Sequence, residues 1–247
     1  MGRLERTLME IAVSLVFIIL AAVFFGIHEK KTEDKPEQEP AMKREADREM
    51  RGVWVASVEN LDYPAVPTVS AEELRAQADA VLDGADKSGF NAVFLQVRPC
   101  SDALYPSEIY PWSRYLTGQQ GVAPDSDFDP LAYWVSEAHR RGLELHAWIN
   151  PYRIARDASE WENLAEGSPA RQRPDWVVQY GEGYYFNPGL PEVRELVISG
   201  VMEMIKKYQV DGIHLDDYFY PGADFNDGGT YAAYGTEFPD IGDWRRN

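Results

Sequence analysis

The chain has a single cysteine, Cys100, in 247 residues, so no disulfide can close within it and cysteine usage does not reveal its compartment. No strand-like run is followed by a Gly-x-Gly-x-x-Gly turn or a phosphate loop, which leaves a nucleotide cofactor without support. A His-x-x-x-His pair is also missing. His214, Asp216 and Asp217 are metal-ligating types, but adjacent acids on a strand diverge, and no metal or other cofactor is expected. Positive charge is scarce. Lys and Arg number 24 against 41 Asp and Glu, a formal net charge of -17. Residues 1–50 hold 8 and 10 of these, which leaves -15 on residues 51–247. A domain that acidic repels polyanions, which argues against nucleic acid or an anionic lipid surface and favours a neutral or cationic ligand.

One long hydrophobic run is present. Ile11 to Ile27 is 17 residues without a charge, preceded by Arg3 and Arg6 and followed by His28-Glu29-Lys30-Lys31. That is the lower limit for a membrane-spanning helix and longer than most signal-peptide cores. With no Ala-x-Ala-like site after it, residues 1–28 are expected to be an uncleaved signal anchor, with secretion after cleavage as the alternative. The nearly balanced flanking charge sets orientation only weakly. Residues 29–50, rich in Glu, Lys and Pro, are expected to be a flexible charged linker.

Residues 51–247 alternate strand and helix patterns, and 45% apolar residues over the whole chain allow a real core. Arg51 to Ser57 is a first strand. Ser70 with Glu73 three residues on forms a capping box, and the helix it opens gathers Leu74, Ala78, Val81, Leu82 and Ala85 on one face. Asn91 to Arg98 is a second strand, apolar on both faces as a buried parallel strand should be. Asp129 and Pro130 open a helix with Leu131, Trp134, Val135 and Ala138 as its buried stripe. Leu143 to Asn150 is a third strand. Pro191 opens a third helix with Val193, Leu196, Val197, Gly200, Val201, Met204 and Ile205 at helical spacing. A fourth strand begins at Gly212 and runs into Asp216-Asp217-Tyr218.

The β-α-β-α-β-α-β order implies parallel strands joined by right-handed crossovers. Helix-to-strand links are short, whereas the later strand-to-helix links run about 25 to 40 residues. A sheet trimmed at one end and elaborated at the other is the arrangement of a (β/α)8 TIM barrel, whose active face lies at the strand C-termini. Four strands fill only half of such a barrel. The expectation is an α/β fold holding about the first four β/α units, in a domain over residues 51–247 truncated at its C-terminus. Strand alternation puts Phe94, Gln96 and Arg98 on one face, His146, Trp148 and Asn150 on one, and His214 and Asp216 on one. If that parity faces the barrel interior, Gln96, Arg98, Asn150, His214 and Asp216 converge beneath the long loops. Arg98 close to Asp216 would hold that carboxyl ionised, suited to a nucleophile or charge stabiliser. Asp217 faces another direction, as a proton donor if buried or as a loop cap. His214 reads better as a core histidine than as a catalytic base.

Several ordered segments carry a resemblance: Arg51-Gly52-Val53-Trp54, Gly89 to Arg98, Asp127-Phe128-Asp129-Pro130-Leu131, His146 to Arg153, Asn187-Pro188-Gly189 and Gly212 to Tyr218. Over about residues 50–247 the chain resembles the glycosyl hydrolase-like family 10. The resemblance implies a TIM barrel in an exported bacterial protein, with some members acting on peptidoglycan glycan strands stripped of their peptides. It points to Asp216 as the nucleophile at the end of strand four. A retaining glycosidase needs a second carboxyl about 5 Å away and an inverting one needs it further off, and that partner can lie in the strands not present. The main expectation is therefore a membrane-tethered glycoside hydrolase with its domain outside the membrane. Asp216 and Asp217 are the candidate catalytic residues. Gln96, Arg98, Asn150, Arg153, Asn187 and His214 are candidate polar contacts to the glycan, and Trp54, Trp148, Tyr152 and Tyr218 candidate stacking surface. The alternative is a non-catalytic glycan-binding envelope protein. A metal-dependent deacetylase is a third reading. Oligomeric state is not encoded in any of these features.

Overall fold

A computed structural model describes residues 49–216 and 219–247. The expected anchor over residues 1–28, the linker up to residue 48, Asp217 and Tyr218 lie outside the described residues. Among the described residues no helix is long and apolar enough to cross a membrane.

The elements in chain order are β1 (Gly52–Val55), α1 (Ala71–Lys87), β2 (Ala92–Arg98), α2 (Pro130–Arg140), β3 (Glu144–Ile149), β4 (Arg153–Ala155), β5 (Val177–Tyr180), β6 (Gly183–Phe186), α3 (Pro191–Lys207), β7 (Gly212–Leu215), α4 (Gly228–Tyr234) and α5 (Ile241–Arg246), with short helical turns between them. The main sheet has the order β1-β2-β3-β7, and every neighbouring pair is parallel. This is an α/β fold built on a parallel sheet, in the strand order the sequence implies.

The caps act as their chemistry requires. Ser70 Oγ accepts from the Glu73 amide at 3.3 Å, and Asp129 Oδ1 accepts from the Ala132 amide at 3.1 Å. Each supplies one of the first-turn amides with the partner that the helix itself cannot provide. The apolar stripes of α1 and α2 bury Leu74, Leu82, Leu131 and Trp134 against Val93, Leu95, Val97, Leu145 and Ile149 from one face of the sheet. Burying such a side chain contributes about 1.5–3 kcal/mol each, so this layer is the main core. In α3 the helical spacing extends to Ile205 without burial. That side chain is 50% exposed, and Ile198 and Met202 are exposed beside it, so an apolar ridge of α3 has nothing over it among the described residues.

The opposite face of the sheet carries rings. Trp54 stacks on Phe94 with centroids 4.9 Å apart, and meets Trp148 and His214 edge-on at 4.9 and 4.6 Å. Phe94 also lies 4.7 Å from His146. The register explains the layer, because Trp54, Phe94 and His146 are lateral neighbours and Trp148 sits beside His214.

The segment after β3 is more than a long loop. It folds into its own antiparallel sheet, order β4-β6-β5, over a small core of Ile154, Leu164, Phe186 and Val193. Tyr180 pairs with Gly183, so the β5–β6 hairpin turns on Gly181-Glu182, and Gly181 takes the positive φ of 58° that this turn requires.

Candidate functional site

The C-terminal ends of β2, β3 and β7 meet beneath the long connections. Ile149 pairs with Leu215, and the Asp216 amide donates to the Ile149 carbonyl at 3.0 Å, so the register sets Asp216 beside Asn150. Gln96 joins them, with its Nε2 donating to Asn150 Oδ1 at 2.6 Å. Three of the expected residues are therefore gathered at one end of the sheet.

Gln96 and Asn150 are only 1% and 2% exposed. Gln96 Oε1 accepts from the amides of Ser57 and Val58, both at 3.0 Å, and the Ser57 hydroxyl donates to the Gln96 carbonyl at 2.8 Å. Their amide groups tie the ends of three strands together, and Gln96 in particular has its polar atoms committed inside the protein.

Arg98 does not share the face expected for it. A bulge lies between Gln96 and Arg98: Gln96 pairs with Trp148, but Arg98 pairs with Ile149. The extra residue rotates Arg98 off the Gln96 face and onto the helix-packed side. There it is fully buried, with its guanidinium carbon 3.8 Å from the Tyr110 ring centre and its Nη1 against Gly200 of α3. Tyr110 in turn donates its hydroxyl to the Leu196 carbonyl at 3.2 Å. Arg98 makes no ion pair with Asp216, so the argument that it keeps that carboxyl charged loses its basis.

The other expected contacts spread over the same end of the molecule. Trp54, Trp148 and His214 belong to the ring layer, and Trp148 Nε1 is buried without a partner. His214 thus sits among rings, in keeping with a packed histidine. Asn187 is also internal, its Nδ2 donating to Thr230 Oγ1 at 2.7 Å and its Oδ1 accepting from the Gly189 amide at 3.0 Å. Arg153 stands opposite Tyr185 on β4 and β6, and neither is free. Tyr152 lies on the wall of a cleft of about 480 Å³ formed where the segment after β3 meets the segment after β7.

Several polar groups escaped the sequence reading. Glu59, just past β1, takes a positive φ of 56° and pairs with Arg156. Positive φ at a non-glycine residue is uncommon and persists where the surroundings enforce it. Here Asn60 Nδ2 donates to the Pro64 and Tyr115 carbonyls at 2.7 and 2.6 Å and fixes the turn. Behind it lies a buried acid, Glu160, which accepts from the Tyr115 hydroxyl at 2.7 Å, the Arg156 amide at 2.8 Å and the Arg156 guanidinium at 3.1 Å. Burial pushes the Glu160 carboxyl up, but these partners outweigh it and hold it below the ordinary range. Asp102 has the opposite balance. Burial dominates and raises its pKa: Oδ1 is without a hydrogen-bond partner, Gln120 reaches Oδ2 only at 3.4 Å, and the opposing pull of Ser113, Arg114 and the Cys100 backbone is smaller than the cost of burial. Arg156 lies only four residues from Glu160, but the Tyr115 that completes its site is 45 residues away and the Gln120 beside Asp102 is 18 away, so no periodic pattern marks either acid as buried.

A parallel α/β sheet, elaborated at its strand C-termini and bearing a carboxylate and buried amides there, defines the class of this molecule. Residues 49–247 match the glycosyl hydrolase-like 10 family, and the chain belongs to that family. It is 46% identical over 208 residues to glycosyl hydrolase YngK of Bacillus subtilis (strain 168), which covers 82% of this chain and 40% of that protein. It is 40% identical over 226 residues to glycosyl hydrolase DigH of Escherichia coli (strain K12), covering 84% of this chain and 51% of that protein. The chain therefore spans about half the length of the curated relatives it matches. Among solved structures, alpha-L-fucosidase isoenzyme 2 from Paenibacillus thiaminolyticus aligns over 81% of this chain and 28% of its own, at 18% identity and a TM-score of 0.49.

Proposed function

We propose that residues 51–247 form one part of a (β/α)8 barrel in a glycoside hydrolase that cleaves a bacterial cell-wall glycan. The observation that carries this reading is the convergence of Gln96, Asn150 and Asp216 at the C-terminal ends of neighbouring parallel strands, where barrel enzymes place their chemistry. Asp216 is the nucleophile or charge stabiliser, with Asp217 or an acid from the remaining strands as proton donor. Trp54, Trp148 and Tyr152 supply ring surface for sugar faces. The open side of β7 and the bare ridge of α3 are where the next β/α unit would pack. Peptide-free peptidoglycan strands are the proposed substrate. Attachment through residues 11–27 would hold the domain outside the membrane.

A second reading, glycan binding without cleavage, draws support from the internal commitment of Gln96 and Asn187 and from Arg98 turning away. Asp216→Asn in the whole protein separates the two. Hydrolysis predicts that new reducing ends from peptide-free strands fall by about 10³-fold or more, as expected on losing a covalent nucleophile, while strand binding and folding persist. No release of reducing ends by the unaltered protein would favour binding alone.

A further inference from the structure

The cleft beside the strand ends has a composition at odds with the rest of the domain. Tyr152, Tyr220, Tyr234 and Trp244 line it, and with them stand Arg194 and Glu237. Its lining begins two residues past Asn150, at Tyr152, and three past Asp216, at Phe219. Arg245 and Arg246 also touch this cleft, but each is paired, with Asp227 and Asp243 respectively. Arg194 is different. Its Nη1 donates to the Pro188 and Gly189 carbonyls at 3.1 and 3.0 Å, which pins the guanidinium, and no carboxylate pairs with it among the described residues. The side chain is exposed, and its charge acts on the hydroxyls of both Tyr152 and Tyr220. In a domain with nearly twice as many acids as bases, Arg194 thus stands anchored at an aromatic-lined cleft with no carboxylate paired to it among the described residues. A guanidinium held at one nitrogen still presents its other N–H groups as a planar fork, the geometry that suits a carboxylate.

We propose that this cleft binds a carboxylate-bearing sugar, its face stacked on the aromatic wall and its carboxylate read by Arg194. The proposal rests on the glycan reading above and deepens it by naming the residue that reads the sugar's carboxylate, where net charge alone would favour a neutral ligand. Rings alone bind sugars of any charge, so Arg194 is the specificity-determining residue. Glu237, on the same rim, opposes the anion and sets the affinity below what Arg194 alone would give. A carboxylate can be carried on an ether substituent, as in N-acetylmuramic acid, or on the ring carbon of a uronic acid, and the chemistry at Arg194 is shared.

The test is calorimetric binding of two probes to the whole protein: a tetrasaccharide of N-acetylglucosamine and N-acetylmuramic acid, and a glucuronate-containing tetrasaccharide. Each is compared with its carboxyl-reduced alcohol. The expected result is that at least one acid binds about tenfold or more tightly than its alcohol, the scale of a charge-assisted contact, and which acid does so identifies the source. Arg194→Met should erase that gap without weakening the alcohol, Arg194→Lys should retain part of it, and Glu237→Gln should widen it. Because Arg194 also supports the Asn187-Pro188-Gly189 turn, the acid-to-alcohol ratio in the unaltered protein and the Glu237→Gln variant stand even if Arg194→Met fails to fold. Equal binding of acid and alcohol would overturn the carboxylate assignment and leave the glycan reading standing. Failure of all four probes to bind would overturn both.

Discussion

Gln96 and Asn150 are joined by a 2.6 Å hydrogen bond between their side-chain amides, and the same Gln96 accepts from two successive backbone amides, Ser57 and Val58, at the end of β1. One buried side chain therefore sets the relative positions of three strand ends at the face where Asp216 emerges. Gln96→Leu would leave two backbone donors and the Asn150 oxygen without partners. At about 1–3 kcal/mol for each orphaned buried group, the unfolding free energy should fall by about 3 kcal/mol or more, read as a lowered urea midpoint at unchanged slope. A variant that kept its midpoint and lost only glycan affinity would return Gln96 to the role of a substrate contact.

Arg98 and Gly200 make the second clamp, between β2 and α3. A Cβ on Gly200 would lie 2.5 Å from Arg98 Nη1 and 2.6 Å from Tyr110 Cε2. Gly200→Ala should therefore destabilise by about 1–3 kcal/mol through overpacking, even though alanine is the better helix former. Gly84, in α1, is the control. A Cβ there meets nothing within 4 Å, so Gly84→Ala should stabilise by up to about 1 kcal/mol. Thermal unfolding of the two variants should shift in opposite directions. Equal shifts would mean that the Arg98–Tyr110 stack yields freely to the extra methyl.

The contrast between Gln96 and Arg98 shows where the sequence is legible. The parallel order, the caps at Ser70 and Asp129 and the buried stripes of α1 and α2 follow from local periodicity and local hydrogen bonding, so they read directly. Parity served Gln96 and Asn150 as well, because a regular strand alternates. It failed two residues on, at Arg98, because a bulge is decided by what the strand must pack against, here Tyr110 and Gly200, which come from the following loop and a helix about 100 residues later. The sheet of β4, β5 and β6 escaped for a different reason. Its strands are only three or four residues long, too short for a period to register, although Gly181-Glu182 between Val177-Val178 and Tyr184-Tyr185 is a hairpin signal. The exposure of Ile205 was not legible, because helical spacing says which residues share a face and not whether anything covers it.

Asp102 and Glu160 are both buried acids, and they should respond to pH in opposite senses. Burial holds the Asp102 carboxyl above its ordinary range, so the folded state binds its proton more readily than the unfolded chain. Its contribution is therefore fully favourable below the unfolded value of about 4, and is lost as pH rises through the higher folded value. Glu160 is held below its ordinary range, so its contribution is present above about 4.3 and is lost as pH falls through the folded value. Asp102→Asn keeps an acceptor for Gln120 and cannot ionise. Relative to the unaltered protein it should be close to neutral at low pH and increasingly stabilising as pH climbs toward about 7. Glu160→Gln should do the reverse, costing most near neutral pH, where it loses the charge-assisted bonds from Arg156 and Tyr115. Urea midpoints of the three proteins across that pH range provide the measurement. A pH-independent offset for Asp102→Asn would show that the carboxyl finds a counter-charge or solvent when folded, and the account of its burial would fall.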